Sequence, residues 1–197
     1  NVRATQAKRG GSLLSHGLLT AVCSHSLLMG AADLHGPESY MGVIRFLDQV
    51  TCLSDQTIGY DSACQVIPIL QRMRDSPGTP SGDREIAQQL LARSLVVDNL
   101  HAVGHAPPCS YLFGAFHSRG SALLHYEGNE SLNAYLQQAS GRLQQMSAQR
   151  RTTEVAFILA AWSERARKNL HINTASALQR TLLAFANALF DLDDRPI

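Results

Sequence analysis

The residues with the clearest potential for metal chemistry lie between positions 101 and 109. His101, His105 and Cys109 follow one another at intervals of four residues. On a continuous helix this spacing places imidazole and thiolate donors on one face, an arrangement that suits zinc. Gly104 and the pair Pro107–Pro108 interrupt such a helix. A zinc site here therefore requires a helix end and a further ligand from elsewhere in the chain.

Ser118 is the serine whose surroundings are closest to those of a nucleophile. The apolar run YLFGAF precedes His-Ser-Arg-Gly at 117–120, and SALLHY follows it. This stretch resembles the G-x-S-x-G elbow of α/β serine hydrolases, in which a strained turn between a strand and a helix lifts the serine hydroxyl. Phe116 occupies the place of the first glycine, where a phenyl ring does not fit, and the chain lacks the required series of parallel strands. A hydrolase using Ser118, or a metal-dependent enzyme using residues 101–109, is therefore kept as an alternative.

The segment 166–181 has the pattern of a helix, a short turn and a capped helix. It resembles the helix-turn-helix of bacterial DNA-binding regulators, which implies a second helix with base-reading and phosphate-contacting side chains. That helix becomes apolar from Leu182 onwards, which is typical of a core helix. The formal net charge of +1 also lacks the basic excess of a dedicated nucleic-acid binder. The candidate DNA contacts of this second alternative are Arg167, Lys168, Gln179 and Arg180.

Composition describes a globular chain with an ordinary core. Of the 197 residues, 45% are hydrophobic and 17% are charged, which excludes a disordered chain. The four cysteines are scattered, and we interpret them as free thiols of an intracellular protein. The stretch from Gly10 to Ala32 contains no charged residue. Its histidines, serines and glycines favour a buried helix over a membrane span.

Apolar periodicity predicts an all-α fold, a single bundle of six to eight helices joined by short loops. We expect a flexible lead-in at 1–11 and one helical domain over 12–197. A possible subdomain boundary lies at 76–83, a segment rich in proline and glycine. The expected helices include 12–32, a helix from Asp83 to about Val103, and a helix starting at Pro37 whose core face is Tyr40, Val43, Ile44, Leu47 and Val50. Pro68 either kinks or starts the helix in which it lies.

The first expected helix carries apolar residues outside its main stripe, namely Leu13, Leu19 and Leu27. Such a helix is either central to its own domain or covers another chain. The main functional prediction is therefore a helical protein–protein interaction or regulatory module without catalytic activity. Its partner would be another protein or a second copy of the chain. Nucleic acid is not the favoured partner, and no cofactor is expected.

Overall fold

The computed structural model describes residues 17–34, 37–50, 57–115, 128–172, 174–176, 178–179 and 182–183. The strands of this part of the chain are β1 (Gly17–Val22), β2 (Leu28–Leu34), β3 (Thr57–Gly59) and β4 (Ser94–Val96). Its helices are α1 (Tyr40–Val50), α2 (Ala63–Asp75), α3 (Ser81–Leu91), α4 (Asn99–Ala102), α5 (Pro107–Phe113), α6 (Gly128–Gln137), α7 (Ser140–Leu143) and α8 (Ala148–Lys168).

The all-α prediction is wrong, because the helices are accompanied by two small sheets. The largest difference lies at residues 17–34, which form an antiparallel hairpin where a helix was expected. Ser26 adopts a φ of 64°, and the Cys23 backbone N–H donates to the Leu27 carbonyl at 2.9 Å. A left-handed residue of this kind closes a tight turn between two strands.

The hairpin lacks the alternating pattern of a half-exposed strand because apolar side chains on both of its faces pack in part against the rest of the chain. Leu19 packs against one hydrophobic cluster of the chain, whereas Leu18, Val22 and Leu28 pack against another. Strands buried on both faces read as continuous apolar runs, and periodicity alone does not separate them from a buried helix. Among the described residues, no helix combines the length and the apolar character that crossing a membrane requires.

The first cluster lies between α1, α2, α3 and the pair β3–β4. Gly30 of β2 sits so close to Val50 of α1 that a Cβ at this glycine would overlap the valine side chain. The helix α2 runs from Ala63 to Asp75 and continues through Pro68. The buried members of this cluster are Val43, Ile44, Leu47, Ile58, Val66, Leu70, Ala87, Leu90 and Leu95.

The segment proposed as a subdomain boundary connects two helices of this same cluster. Residues 76–80 form the turn between α2 and α3. The Arg84 guanidinium donates to the carbonyls of Thr79 at 3.1 Å and of Pro77 at 3.3 Å, which holds the turn against α3. The division of the chain into domains stays a prediction.

The second cluster joins the hairpin to α6, α7 and α8, with Leu132, Leu143, Val155 and Leu159 buried in it. Polar contacts reinforce this packing at three points along the hairpin. They join Thr20 Oγ1 to Asn129 Oδ1 at 2.8 Å, Arg151 to Asp33 at 2.9 Å, and the Trp162 indole N–H to the Ser26 carbonyl at 3.1 Å.

The strands β3 and β4 form a parallel pair with Ile58 opposite Leu95. The pairing extends beyond the strands, since the Tyr60 N–H donates to the Val96 carbonyl and Val97 forms a parallel bridge with Gly114. Parallel strands bring their carboxyl ends to one edge of a sheet, and residues that follow such strands commonly form binding sites.

Candidate functional site

Both strands of the parallel pair are followed within two residues by an aspartate. Asp61 comes after β3 and precedes α2, whose first turn carries Cys64. Asp98 comes after β4 and is the N-cap of α4. We call the group formed by these residues and the histidines and cysteine that follow Asp98 the carboxyl-edge cluster. Its members are Asp61, Cys64, Asp98, His101, His105 and Cys109.

Three side chains of this cluster converge on one point. The ligand atoms of Cys64, His105 and Cys109 all lie within 4.8 Å of one another. Nδ1 of His105 is 3.1 Å from Sγ of Cys109 and 3.6 Å from Sγ of Cys64. Within the described ranges this is the one group of three or more histidine, cysteine or acidic side chains that converges so closely. Both cysteines are free thiols and partly buried.

The other ring nitrogen of His105 faces a carboxylate. Its Nε2 lies 3.2 Å from Oδ1 of Asp61, and the His105 side chain is 19% exposed. A proton on Nε2 is donated to this carboxylate, and the Nδ1 lone pair then points toward the two sulfurs. The imidazole is held by contacts on both sides.

His101 belongs to a different set of contacts. Its Nδ1 is 2.7 Å from Oδ2 of Asp98, and its Nε2 is 3.8 Å from a carboxylate oxygen of Glu130 in α6. The structure therefore brings together His105 and Cys109 of the predicted metal ligands but places His101 between two acids. Because α4 ends at Ala102 and α5 begins at Pro107, His101 and Cys109 lie on separate helices.

Short contacts hold the segment between these helices in place. The Ser110 hydroxyl donates to the Ala102 carbonyl at 2.6 Å, which folds the start of α5 back onto the end of α4.

Buried apolar residues underlie the cluster, namely Ala63, Val97 and Ala102. Burial against these apolar residues, and then the neighbouring Cys109, raise the pKa of the Cys64 thiol to about 11. Unligated Cys64 is therefore protonated at neutral pH.

Tyr60 is a further titratable group beside the cluster. Its hydroxyl donates to a carboxylate oxygen of Glu38 at 2.7 Å. Burial, and then the bond to Glu38, raise the pKa of this phenol well above its usual range. Tyr60 is therefore neutral at physiological pH and serves as a donor that ties the end of β3 to the segment before α1.

Replacing Asp98 by alanine tests how much this edge depends on its buried acid. The carboxylate accepts from the His101 backbone N–H at 3.0 Å and from its ring N–H at 2.7 Å. We expect Asp98→Ala to lower the free energy of unfolding by about 1–2 kcal/mol, since it removes a helix cap and leaves polar groups unpaired. Asp98→Asn keeps an acceptor for the helix cap, so we expect it to lower the free energy of unfolding by less than Asp98→Ala does. Urea denaturation of both variants checks this, and equal losses would contradict the capping role.

Several residues predicted from the sequence lie elsewhere. Leu13, Ser118 and Arg180 are outside the described residues. Leu19 packs inside the chain against the first cluster, and Leu27 is half-buried in the hairpin turn. Arg167 and Lys168 are exposed at the end of α8 and both contact Glu164, while Gln179 is exposed. The roles assigned to these residues stay predictions.

In the segment 166–181, the sequence pattern predicts Thr174 as the cap of the second helix, and the structure shows a different role for this residue. Asn169 ends α8, and residues 170–172 and 174–176 are again helical. The Thr174 hydroxyl donates to the Leu170 carbonyl at 2.7 Å. A bond to the carbonyl four residues earlier is typical of a threonine inside a helix, whereas a capping side chain accepts a bond from the helix that follows it.

Cys64 is the ligand candidate that sequence reasoning missed. It lies 41 residues before His105, so no local spacing connects the two. A signal was present in the repeated order of an apolar run, an aspartate and then a cysteine or histidine. The segment IGYDSAC contains it once and LVVDNLH contains it again. Recognising both runs as parallel strands would have placed their carboxyl ends, and hence these side chains, side by side.

Comparison with models of known protein families gives a match over most of the chain. A family model described as Kyakuja-Dileera-Zisupton transposase matches residues 1–163. A search of curated proteins and a search of solved structures both find no match. The family match overturns the prediction of a non-catalytic interaction or regulatory module, because a transposase is an enzyme that acts on DNA. The chain belongs to the Kyakuja-Dileera-Zisupton transposase family.

Proposed function

We propose that the chain is the part of a DNA transposase that binds duplex DNA as its substrate. The observation that carries this proposal is the family match, which covers residues 1–163. The near-neutral net charge favoured other partners, but net charge averages over the whole surface and says little about one face of it. The proposal also implies a location inside the cell with access to DNA.

The acidic residues of the carboxyl edge bear on the chemistry of such an enzyme. Cutting and joining phosphodiester bonds is commonly assisted by divalent cations held between carboxylates. Asp61, Asp98 and Glu130 each contact a histidine. No three carboxylates among the described residues have oxygens within 4.8 Å of one another. The described residues therefore do not complete a carboxylate metal site, and we assign no catalytic step to them.

The basic side chains of α8 are the best candidates for phosphate contacts. Arg167 and Lys168 share Glu164, which offsets part of their charge. Arg150 and Arg165 are exposed on the same helix. Fifteen residues of α-helix separate these two by about 22 Å along the axis and by about 60° around it. Both guanidinium groups therefore project toward a similar side, where they can contact phosphates along one duplex.

Duplex binding measured against salt concentration tests the proposal. We expect the logarithm of the binding constant to fall linearly with the logarithm of salt concentration between about 50 and 200 mM. Changing Arg150 and Arg165 together to alanine should reduce this slope by about 2, one unit for each phosphate that is no longer neutralised. Fluorescence anisotropy with a labelled duplex of mixed sequence measures the slope.

The matched control is Arg74→Ala, since Arg74 is an exposed arginine of α2 whose charge is paired with Asp75. It should leave the slope unchanged. Absence of duplex binding at the lowest salt concentration would overturn the proposed function. Binding whose slope is the same in the wild-type chain and the double variant would exclude α8 as the surface that contacts phosphates.

A further inference from the structure

The convergence of Cys64, His105 and Cys109 has no explanation in DNA binding. Three parts of the chain meet here, namely the first turn of α2, the loop after α4 and the first turn of α5. Two thiols and an imidazole nitrogen lie within 4.8 Å of one another. Because Cys64 and His105 are 41 residues apart in sequence, this proximity does not follow from local secondary structure. Each of the three offers a donor atom that binds metal ions.

The orientation of His105 is the second observation that points to a ligand. Its Nε2 faces Asp61 at 3.2 Å, so that Nδ1 is directed at the two sulfurs. Histidines that bind metals usually donate their other ring N–H to a carboxylate or carbonyl, which fixes the tautomer and the ring plane. Asp61 has this relation to Nε2 of His105, which leaves the Nδ1 lone pair of the same ring facing the two sulfurs.

The donor set selects the class of metal. Thiolate and imidazole are ligands of zinc and other thiophilic ions, whereas magnesium and calcium require oxygen. With bond lengths of about 2.3 Å to sulfur and 2.0–2.1 Å to nitrogen, a tetrahedral zinc separates its S and N ligands by about 3.5 Å. The observed N–S distances of 3.1 and 3.6 Å lie on either side of this value. Small side-chain movements would therefore accommodate the ion.

We propose that Cys64, Nδ1 of His105 and Cys109 bind one zinc ion, with Asp61 as a positioning residue that orients the imidazole. Three protein ligands leave the fourth tetrahedral position to water or to an added ligand. Binding replaces the protons of both thiols, which are released to solvent as the thiolates ligate the metal. The ion would crosslink α2 to α5 at the carboxyl ends of the parallel strands β3 and β4. This inference does not depend on whether the chain binds DNA.

Metal content and cobalt substitution of the full chain test the proposal. We expect one zinc per chain after purification without chelators, and thiolate-to-metal absorption bands when Co²⁺ replaces the zinc. Cys64→Ser and Cys109→Ser should each abolish stoichiometric zinc and weaken these bands. Cys23→Ser, which removes a thiol of the hairpin, and His101→Gln, which changes the neighbouring histidine, should leave both readouts intact.

The role of Asp61 has its own readout. Asp61→Ala should weaken zinc affinity by about 10- to 100-fold while stoichiometry at saturating zinc is retained. Asp61→Asn keeps an acceptor for the imidazole N–H and should recover part of this loss. A metal competition assay measures both, and circular dichroism confirms that each variant is folded. Equal affinity in the wild-type chain and Asp61→Ala would remove the positioning role.

Two results would overturn the metal site itself. The first is a folded chain that neither retains zinc nor produces the cobalt bands. The second is the loss of two free thiols under non-reducing conditions, abolished by Cys64→Ser and by Cys109→Ser, which would assign the two sulfurs to a disulfide. If a serine variant does not fold, the zinc content and cobalt spectrum of the wild-type chain still decide the question.

Discussion

Replacing Leu70 by alanine is expected to lower the free energy of unfolding by about 2–5 kcal/mol. Leu70 is fully buried on α2, among the residues that α1 and α3 contribute to the first cluster. Removing its isobutyl group loses the transfer free energy of the side chain and leaves a cavity between packed helices. Urea or guanidinium denaturation of the full chain measures the change.

The matched control is Leu112→Ala, because the Leu112 side chain on α5 is 68% exposed. We expect that variant to stay within about 0.5 kcal/mol of the wild-type chain. Since α2 also carries Cys64 in its first turn, Leu70→Ala should release the proposed zinc only under conditions in which the variant unfolds. A loss at Leu70 no larger than that at Leu112 would show that this cluster is not the core of the chain.

Changing Gly114 to alanine is expected to lower the free energy of unfolding by about 1–3 kcal/mol. Gly114 ends α5 with φ −68° and ψ 141°, a conformation open to any residue, so its backbone angles do not require glycine. Glycine is required here because a Cβ would overlap the carbonyl oxygen of Ser110, a backbone atom that cannot rotate away as a side chain can. Accommodating it must shift either the end of α5 or the bridge between Val97 and Gly114.

Gly82→Ala is the control for this substitution. Gly82 lies in the first turn of α3, and a Cβ there would meet nothing within 4 Å. Alanine favours a helix over glycine by up to about 1 kcal/mol, so this variant should be unchanged or more stable. Thermal denaturation followed by circular dichroism compares the two. Equal stability of Gly114→Ala and the wild-type chain would mean that the overlap relaxes without cost.

Helices with a strong periodicity could be predicted from the sequence. The helix expected after Pro37 is α1, and Val43, Ile44 and Leu47 are buried in it as predicted. Tyr40 was expected in the same core face and is exposed at the start of the helix. The helix expected from Asp83 to Val103 is wrong beyond Leu91, where α3 ends and the short strand β4 follows. A strand of three residues buried between helices leaves no alternation to detect.

Part of the candidate site could be predicted from the sequence, and part depends on contacts between distant segments. The local motif indicated His105 and Cys109, because ligand spacing within one segment is visible in a sequence. Cys64 depends on the parallel pairing of β3 with β4, which is a contact between distant segments. The choice of His105 over His101 depends on which carboxylate each ring faces, and spacing does not encode that.

The hairpin β1–β2 has a consequence for how the chain loses its structure. One face of this ribbon contacts the first cluster through Leu19, and the other contacts the second cluster through Leu18, Val22 and Leu28. A two-stranded ribbon is at best marginally stable alone in water. Once either cluster separates from it, the ribbon is half exposed and its hold on the other cluster weakens. We therefore expect both clusters to melt in one cooperative step rather than in two separate transitions.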